Sequence, residues 1–255
     1  MFLAGHAPGA VHLWAGDWAR RAAELPPREE AFFVVAADAA AAAELADGLR
    51  QRGHRAAEPA PAGVLADRSE SGPSRGVAWR PSDWLLHCAA HLPPGARVLD
   101  LACGTGRNVA ALARLGARVT GLDILPDALE RARLLAGPGP APDLVVADAT
   151  GPLPFRPGSF DVVAGFRYLD RALFARLGAV LVPGGEVWWE TFNRDQARFG
   201  HPRRAEFLLA PGELAVLCRA AGFVVLEERD PIAPGDAGPA LSAVRARLAS
   251  PGQSA

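Results

Sequence analysis

The chain has 255 residues, half of them hydrophobic, and its 27 basic residues nearly balance 28 acidic ones, so a net charge of −1 gives no overall positive field for nucleic acid or an anionic membrane. Every basic residue is arginine, which excludes a pyridoxal phosphate aldimine and a Walker-type lysine. Three scattered cysteines form neither a metal motif nor a disulfide framework, and no signal peptide or membrane span is readable. The sequence therefore favours a cytoplasmic protein without a bound metal.

Residues 1–58 form a first predicted segment. AVHL (10–13) is predicted to be a short strand, AFFVVAA (31–37) a stronger one, and residues 39–54 a helix that ends at Gly53. Residues 59–83 are rich in proline, glycine and serine. They are predicted to be a linker and a domain boundary.

Residues 84–230 are predicted to form a larger domain in which strands and helices alternate. It opens with a helix around residues 83–92. Strands are predicted at 96–102, 117–123, 143–149, 160–166, 184–192 and 223–228, with helices at 105–116, 126–136, 172–181 and 211–222. This alternation favours a parallel sheet covered by helices on both faces. Residues 231–255 are predicted to be a loop, a short helix and a tail.

The most informative stretch is VLDLACGTGRN, residues 98–108. Asp100 comes at the carboxyl end of the first strand of this domain, and Gly104 and Gly106 permit a tight turn before the helix. Ligands of open α/β sheets bind at this position. A dinucleotide fingerprint would need a third glycine where Val109 stands. A carboxylate before the loop also repels a phosphate and suits a positively charged ligand.

Two further acidic residues follow the next two strands. Asp123 comes about 20 residues after the loop, where an aspartate can accept both hydroxyls of a ribose. Asp148 can accept from an adenine amino group while Ala149 offers its amide. Each aspartate alone could be a helix cap, and Asp161 is assigned to such a fold contact. Together with the glycine loop, the three carboxylates suit a nucleoside with a charged amino acid tail, S-adenosylmethionine.

The ordered segments VLDLACGTG, GLD, ADA, FDVV and LVPGGEV resemble the motifs of class I methyltransferases from residue 96 to about 190. The resemblance implies an α/β fold, a Rossmann-like doubly wound, mostly parallel seven-stranded sheet, with S-adenosylmethionine as cofactor. Ala102 departs from the glycine that many members have. The implied cofactor-binding residues are Asp100, Ala102, Cys103, Gly104, Gly106, Arg107, Asp123, Ile124, Asp148, Ala149 and Phe166. Cys103 is interpreted as a small packing residue beside the ligand, not as a nucleophile.

The segments FRYLDRALF, WWETF and RFGHPRRAEFLLAPGEL resemble a bacterial group of small class I enzymes likened to tellurite-resistance methyltransferases. The text after the fourth strand of the domain lacks the Asp/Asn-Pro-Pro-aromatic motif of nucleobase amino methylation. Tyr168 and Glu190 are the candidate catalytic residues. Tyr168 could orient or deprotonate an acceptor, or belong to the core. Glu190 could be a base with a raised pKa, or the partner of an arginine.

Two more segments are open to alternative interpretations. The arginine-rich stretch from Arg194 to Arg204 either covers the active site and favours an anionic acceptor, or is a solvated loop. Arg80 and Ser82, in the motif before the domain, could close over the ligand. Arg107 and Asn108 could reach the carboxylate of the methionine moiety.

The predicted function is methyl transfer to a small molecule, including thiol, selenium or tellurium nucleophiles among the candidate acceptors. One alternative is an RNA or protein methyltransferase that uses the arginine-rich stretch for recognition. Another is a non-catalytic regulatory protein that binds S-adenosylmethionine. The sequence predicts neither the acceptor nor the oligomeric state.

The first segment itself resembles part of a rhodanese. The residues that carry the resemblance are GHAPGAVHL (5–13) and the stretch from residue 24 to 54. Where a rhodanese has its persulfide cysteine, this chain has alanines and Asp38, which would repel a sulfur anion. The resemblance therefore implies a truncated, degenerate rhodanese-like α/β segment without sulfur transfer, which packs against the methyltransferase or mediates association.

Overall fold

The computed structural model describes residues 10–11, 16, 18, 25–26, 28, 30–60, 80–136, 141–232 and 239–249. The chain divides into two compact units, residues 1–80 and residues 81–255. The first unit contains a small βαβ arrangement, and the second contains the larger sheet.

In the first unit, strand β1 (Phe32–Val35) pairs in parallel with β2 (Ala57–Ala60), and helix α1 (Ala39–Gln51) connects them. Asp38 caps this helix, because its side chain accepts a hydrogen bond from the amide of Ala41 at 2.8 Å. Gly53 follows the helix with φ +100°. β2 begins in the predicted first segment, residues 1–58, and ends at Ala60, inside the predicted linker. Of the strand predicted at 10–13, residues 10 and 11 are not in a strand, and residues 12–13 lie outside the described residues.

The second unit alternates helices and strands as the sequence predicts. Its helices are α2 (Asp83–Ala89), α3 (Arg107–Arg114), α4 (Pro126–Leu135), α5 (Phe174–Val180) and α6 (Glu213–Ala220). Its strands are β3 (Arg97–Leu101), β4 (Arg118–Asp123), β5 (Asp143–Val146), β6 (Phe160–Phe166), β7 (Leu181–Phe192), β8 (Phe223–Ile232) and β9 (Leu241–Leu248).

These strands form one seven-stranded sheet in the order β5-β4-β3-β6-β7-β9-β8. The strands from β5 through β7 are parallel, and β9 is antiparallel to both of its neighbours. The predicted mostly parallel, Rossmann-like sheet is therefore confirmed. The order reverses between β3 and β6, so the loops after these two strands diverge and leave a crevice at their carboxyl ends.

The prediction for the C-terminal stretch is wrong, because residues 241–248 form a strand and not a short helix. The sequence LSAVRARL is rich in good helix formers, which misled the prediction. Insertion between β7 and β8 overrides that preference. Most apolar side chains of β9 are buried there, and Arg245 bonds Glu186 of β7 at 2.7 Å.

The sheet is packed on both faces. Neighbouring residues of one strand contribute to opposite clusters, because successive side chains of a strand point to opposite faces. Trp188 packs with α2 and α3 residues, whereas Trp189 packs with α5 and α6 residues. Gly165 lies opposite Trp189 in the register, and a Cβ there would lie 2.4 Å from the indole ring. Position 165 therefore has no room for a side chain while Trp189 fills this part of the core.

Candidate active site

Asp100 lies in the crevice at the carboxyl end of β3. The residue is 1% exposed, and nothing in the part of the chain that the structure describes hydrogen-bonds its Oδ2. The pKa of this carboxyl is raised to about 7, mainly by burial; Arg107 opposes the rise and Asp123 adds to it. A buried acceptor without a donor is costly. A ligand that brings a hydrogen-bond donor to Asp100 would remove this cost.

The loop after β3 has left-handed backbone at three positions, with φ +53° at Ala102, +54° at Gly104 and +81° at Gly106. Ala102 occupies this strained region although it has a side chain. At Gly106 the requirement is also steric. A Cβ there would lie 2.5 Å from the Cβ of Ala132, so glycine lets α4 approach the start of α3.

Asp123 ends β4 and fixes this loop. Its Oδ2 accepts from the amide of Gly104 at 2.8 Å, and its Oδ1 accepts from the amide of Leu125 at 3.0 Å. An ionised carboxylate can accept about four hydrogen bonds, so capacity remains for ligand hydroxyls. Ile124, predicted as a cofactor contact, and Leu125 are each 58% exposed, and Val146 at the end of β5 is 56% exposed. They present an apolar surface at the same edge of the sheet.

Asp148 lies in the exposed loop after β5. Its Oδ1 accepts from both the amide and the hydroxyl of Thr150, each at 2.8 Å, and these bonds lower its pKa. One of its oxygens is thus used in a local turn, and no helix begins at this position. The neighbouring Ala149 is buried, and its carbonyl accepts from the guanidinium of Arg176 at 3.3 Å.

Three other residues of the loop and helix start have different surroundings. Cys103 packs against the core cluster of α2 and α3, and burial followed by the carboxylates of Asp100 and Asp123 raises its pKa. The structure thus shows Cys103 as a packing residue, and its place beside a ligand stays a prediction. Arg107 opens α3 and lowers the pKa of Asp100. Asn108 is buried and its Oδ1 accepts from the amide of Ser82 at 3.4 Å, so it bonds the segment before α2.

Glu190 lies near the end of β7 and is 4% exposed. Burial raises its pKa, while Arg167 and Ser82 oppose the rise. The Ser82 hydroxyl donates to Oε1 at 3.1 Å, and Nε of Arg167 lies 3.6 Å from the same oxygen. Both features considered from the sequence, burial and an arginine partner, are therefore present. Arg167 itself has φ +62°, and its guanidinium lies 4.9 Å from the ring centroid of Phe192.

Tyr168 does not lie with Glu190. Its ring packs on the core cluster of α5 and α6, with its centroid 6.4 Å from that of Trp189. Trp189 and Glu190 are consecutive residues of β7, so they point to opposite faces. The structure thus separates the two candidate catalytic side chains. Phe166, predicted as a cofactor contact, ends β6 and is 7% exposed. Asp161 is confirmed as a fold contact, since both of its oxygens bind Arg97 at 2.8 Å.

A cavity that sequence reasoning missed lies beyond the end of β7. Its volume is about 400 Å³, and it is lined by Phe192, His201, Pro202, Arg203, Arg204 and Phe207. In the sequence, its only indication was the arginine-rich stretch from Arg194 to Arg204. Arg80, predicted to close over the ligand, belongs to the first unit. Within the described residues, no group of His, Cys, Asp and Glu could hold a metal ion, and no helix is long and apolar enough to cross a membrane.

Comparisons with known proteins agree on one family. Residues 98–185 match the model of a family described as a methyltransferase domain. That region contains the glycine loop and all three strand-end aspartates discussed above.

Curated relatives include ubiquinone biosynthesis O-methyltransferases. The one from Xanthomonas campestris pv. campestris (strain B100) is 38% identical over 112 residues, which cover 42% of this chain and 47% of that protein. The one from Burkholderia thailandensis is 32% identical over 159 residues, which cover 54% of this chain and 68% of that protein. The chain thus spans about half the length of the first of these relatives and two thirds of the second.

Among solved structures, an S-adenosylmethionine-dependent methyltransferase from Methanosarcina mazei superposes with a TM-score of 0.53 at 22% identity. The match covers 68% of this chain and all of that chain, and at this identity it shows the fold. The chain belongs to the S-adenosylmethionine-dependent class I methyltransferases.

Proposed function

We propose that the chain binds S-adenosylmethionine and transfers its methyl group to a small-molecule acceptor. The observation that carries the proposal is Asp100, whose buried Oδ2 has no donor among the described residues. The ammonium of the methionine moiety is a charged donor of the required kind, and its charge would lower the pKa that burial has raised. A phosphate ligand would instead be repelled.

The remaining proposed cofactor contacts lie at the same edge of the sheet. Asp123 holds the ribose hydroxyls with the acceptor capacity that its two backbone bonds leave. Ile124, Leu125 and Val146 supply an exposed apolar surface for the adenine. The free oxygen of Asp148 and the amide of Ala149 are assigned to the adenine edge.

Bound S-adenosylmethionine supplies a methyl group that is already activated by its sulfonium. With the cofactor bound, an acceptor lone pair would form the new bond to carbon, and the electrons of the broken carbon–sulfur bond would stay on sulfur. The protein's task is to hold the acceptor in line and to exclude water, and positioning of this kind supplies up to about 7–11 kcal/mol of a barrier. An acceptor that carries a proton also needs a base.

We assign the acceptor side of the site to Arg167 and Glu190. Glu190 is buried beside the arginine and is held by Ser82, so it is the candidate to take a proton or to fix the guanidinium. Glu190→Gln keeps the hydrogen bond from Ser82. It should lower kcat while leaving cofactor affinity nearly unchanged, because the proposed contacts of Asp100, Asp123 and Asp148 lie at the ends of β3, β4 and β5. Equal losses of kcat and cofactor affinity would contradict the assignment.

Tyr168 is the second proposed catalytic residue. Burial, followed by Asp170 and Asp148, raises the pKa of its phenol, so the hydroxyl is neutral and can orient an acceptor as a donor. Tyr168→Phe removes only that hydroxyl. We expect a reduced kcat with unchanged stability. Full activity of the variant would contradict the catalytic role and show that Tyr168 is only a core residue.

The identity of the acceptor atom rests on two resemblances. The curated relatives are named for O-methylation, which supports an oxygen acceptor on a small molecule. The resemblance to the tellurite-resistance group supports a thiol, selenium or tellurium acceptor. Mass spectrometry of products formed with a deuterated methyl donor in a cell extract distinguishes these atoms directly.

Calorimetry of S-adenosylmethionine binding tests the cofactor assignment. Asp123→Ala removes the proposed ribose contact, and Asp143→Ala removes a carboxylate from the exposed start of β5 as a matched control. We expect affinity to fall by about a hundredfold in the first variant, the effect of losing two charged hydrogen bonds, and to be unchanged in the second. Urea unfolding of both variants separates lost binding from lost folding.

We further propose that residues 1–58 are a degenerate rhodanese-like segment, joined by a linker, which associates without sulfur transfer. The capping role of Asp38 supports this proposal, because it gives a structural use to the position of the missing nucleophile. Deletion of residues 1–58 should alter stability more than turnover. Three free cysteines support a reducing compartment, for which we propose the cytoplasm.

A further inference from the structure

We propose that the cavity beyond β7 is the acceptor site and that it selects an aromatic carboxylate. The cavity is lined by Phe192 of β7 and by residues of the segment 193–209, which we call the arm. The inference deepens the proposed function and rests on it, because an acceptor site has meaning only beside a bound methyl donor. Four sets of observations support it.

The arm is a folded element, although its arginine side chains are exposed to solvent. Two buried amides anchor it to the segment that begins β9. Asn193 donates to the carbonyl of Leu241 at 2.9 Å, and Gln196 accepts from the amide of Ala240 at 2.9 Å. Gln196 also donates to the carbonyl of His201 at 3.0 Å, which fixes the wall of the cavity.

The two ends of the arm are closed on each other. The amide of Leu209 donates to the carbonyl of Phe192 at 2.9 Å, and the amide of Arg194 donates to the carbonyl of Leu209 at 3.1 Å. Leu208 and Leu209 are buried behind this closure. The cavity is thus preformed by the fold, as small-molecule sites usually are.

The lining defines the ligand chemistry. Phe192 and Phe207 supply aromatic surface, and Phe207 is 46% exposed. Arg203 and Arg204 supply two positive charges, and the lining contains no carboxylate. Arg204 is partly neutralised by Glu206 at 3.6 Å, whereas no carboxylate in the described part of the chain lies within ion-pair distance of Arg203. A volume of about 400 Å³ accommodates one or two rings with a carboxylate.

The cavity also lies on the acceptor side of the site. Phe192 follows Glu190 by two residues, so both side chains lie on the same face of β7. The Arg167 guanidinium lies between them, 4.9 Å from the Phe192 ring and 3.6 Å from Glu190. Strand β6, which precedes Arg167, neighbours both β7 and β3. A ligand in the cavity can therefore extend along Arg167 towards the crevice at Asp100.

The test measures ligand binding to the full chain saturated with S-adenosylhomocysteine. Three probes separate the aromatic ring from the negative charge. 3-Hydroxybenzoate carries both, 3-hydroxybenzamide carries the ring alone, and cyclohexanecarboxylate carries the charge alone. We expect calorimetry to show the first probe binding at least tenfold more tightly than either of the others. Phe207→Ala should remove the preference for the aromatic ring.

Two double variants of equal charge change test the arginines. Arg203→Gln with Arg204→Gln removes both charges of the lining and should reduce the preference for hydroxybenzoate over the amide to about one. Arg194→Gln with Arg198→Gln removes two charges of the same arm that do not line the cavity, and the preference should survive.

Binding of S-adenosylhomocysteine is measured first in every protein. If it does not bind, the proposed function fails. If it binds but no probe does, if the three probes bind equally, or if both double variants lose the preference alike, this inference is overturned while the proposed function stands.

Discussion

Asp100 gives the sharpest prediction, because the geometry that suits it to a cationic ligand also destabilises the ligand-free protein. Its carboxyl is 1% exposed and has a pKa near 7 in the folded chain, against an ordinary value of 3.8. The unfolded chain therefore loses this proton at lower pH than the folded chain. The contribution of Asp100 to stability falls as pH rises from about 4 to about 7 and is constant above that window.

The size of the effect follows from the two pKa values. Each pKa unit corresponds to about 1.4 kcal/mol, so the difference between 3.8 and about 7 amounts to roughly 4 kcal/mol at pH 8 as an upper limit. This is a large share of the 5–15 kcal/mol that roughly spans domain stabilities. Asp100→Asn keeps the shape of the side chain and cannot ionise, so the variant should not show this loss.

Urea unfolding of the ligand-free protein at pH 4, 5.5 and 8 measures the effect. Wild type and Asp100→Asn should be similar in stability at pH 4, and the variant should gain progressively, up to roughly 4 kcal/mol at pH 8. Asp148→Asn is the matched control. The pKa of Asp148 is lowered, so any contribution it makes has the opposite pH dependence. Parallel pH profiles for wild type and Asp100→Asn would refute the reasoning.

Three further predictions concern protons, the glycine loop and the fold. Binding of S-adenosylmethionine should release up to about one proton at pH 6 and almost none at pH 8.5, because the ammonium lowers the pKa of Asp100. The release is measured as a dependence of the binding enthalpy on the buffer. Proton uptake on binding would contradict this prediction. Gly106→Ala should cost more than about 2 kcal/mol, through φ and contact with α4, whereas Gly116→Ala, at φ +84° with open space around it, should cost only about 1–2 kcal/mol. Hydrogen bonds from Arg97 lower the pKa of Asp161. Asp161→Asn should therefore reduce the free energy of unfolding by up to about 1 kcal/mol at pH 7 and leave it unchanged below the folded pKa. A reduction that persists in acid would point to packing instead.

The sequence was sufficient for the features that are local. The alternation of strands and helices, the glycine loop and the position of Asp100 and Asp123 at strand ends all follow from patterns within about 30 residues. β9 was not predictable in this way, because its composition favours a helix and only its two partner strands make it extended. The bonds of Asp148 to Thr150, two residues away, are by contrast local, and they use one of its two oxygens.

The acceptor side of the site depends on contacts between distant parts of the chain. The bond from Ser82 to Glu190 joins residues 108 positions apart, and the arm is fixed by Asn193 and Gln196 to residues more than 40 positions later. Sequence periodicity carries no information about such pairs. The cavity lined by Phe192 and Phe207 could therefore be recognised only in the folded structure.

The central claim is that this chain transfers a methyl group to a small molecule, and label transfer tests it most directly. Wild type and Asp123→Ala are incubated with a deuterated methyl donor and a small-molecule extract, and products are identified by mass spectrometry. The account predicts a labelled product of low mass with the wild type only. Cofactor binding without any labelled product, or label found only in RNA or protein, would contradict it.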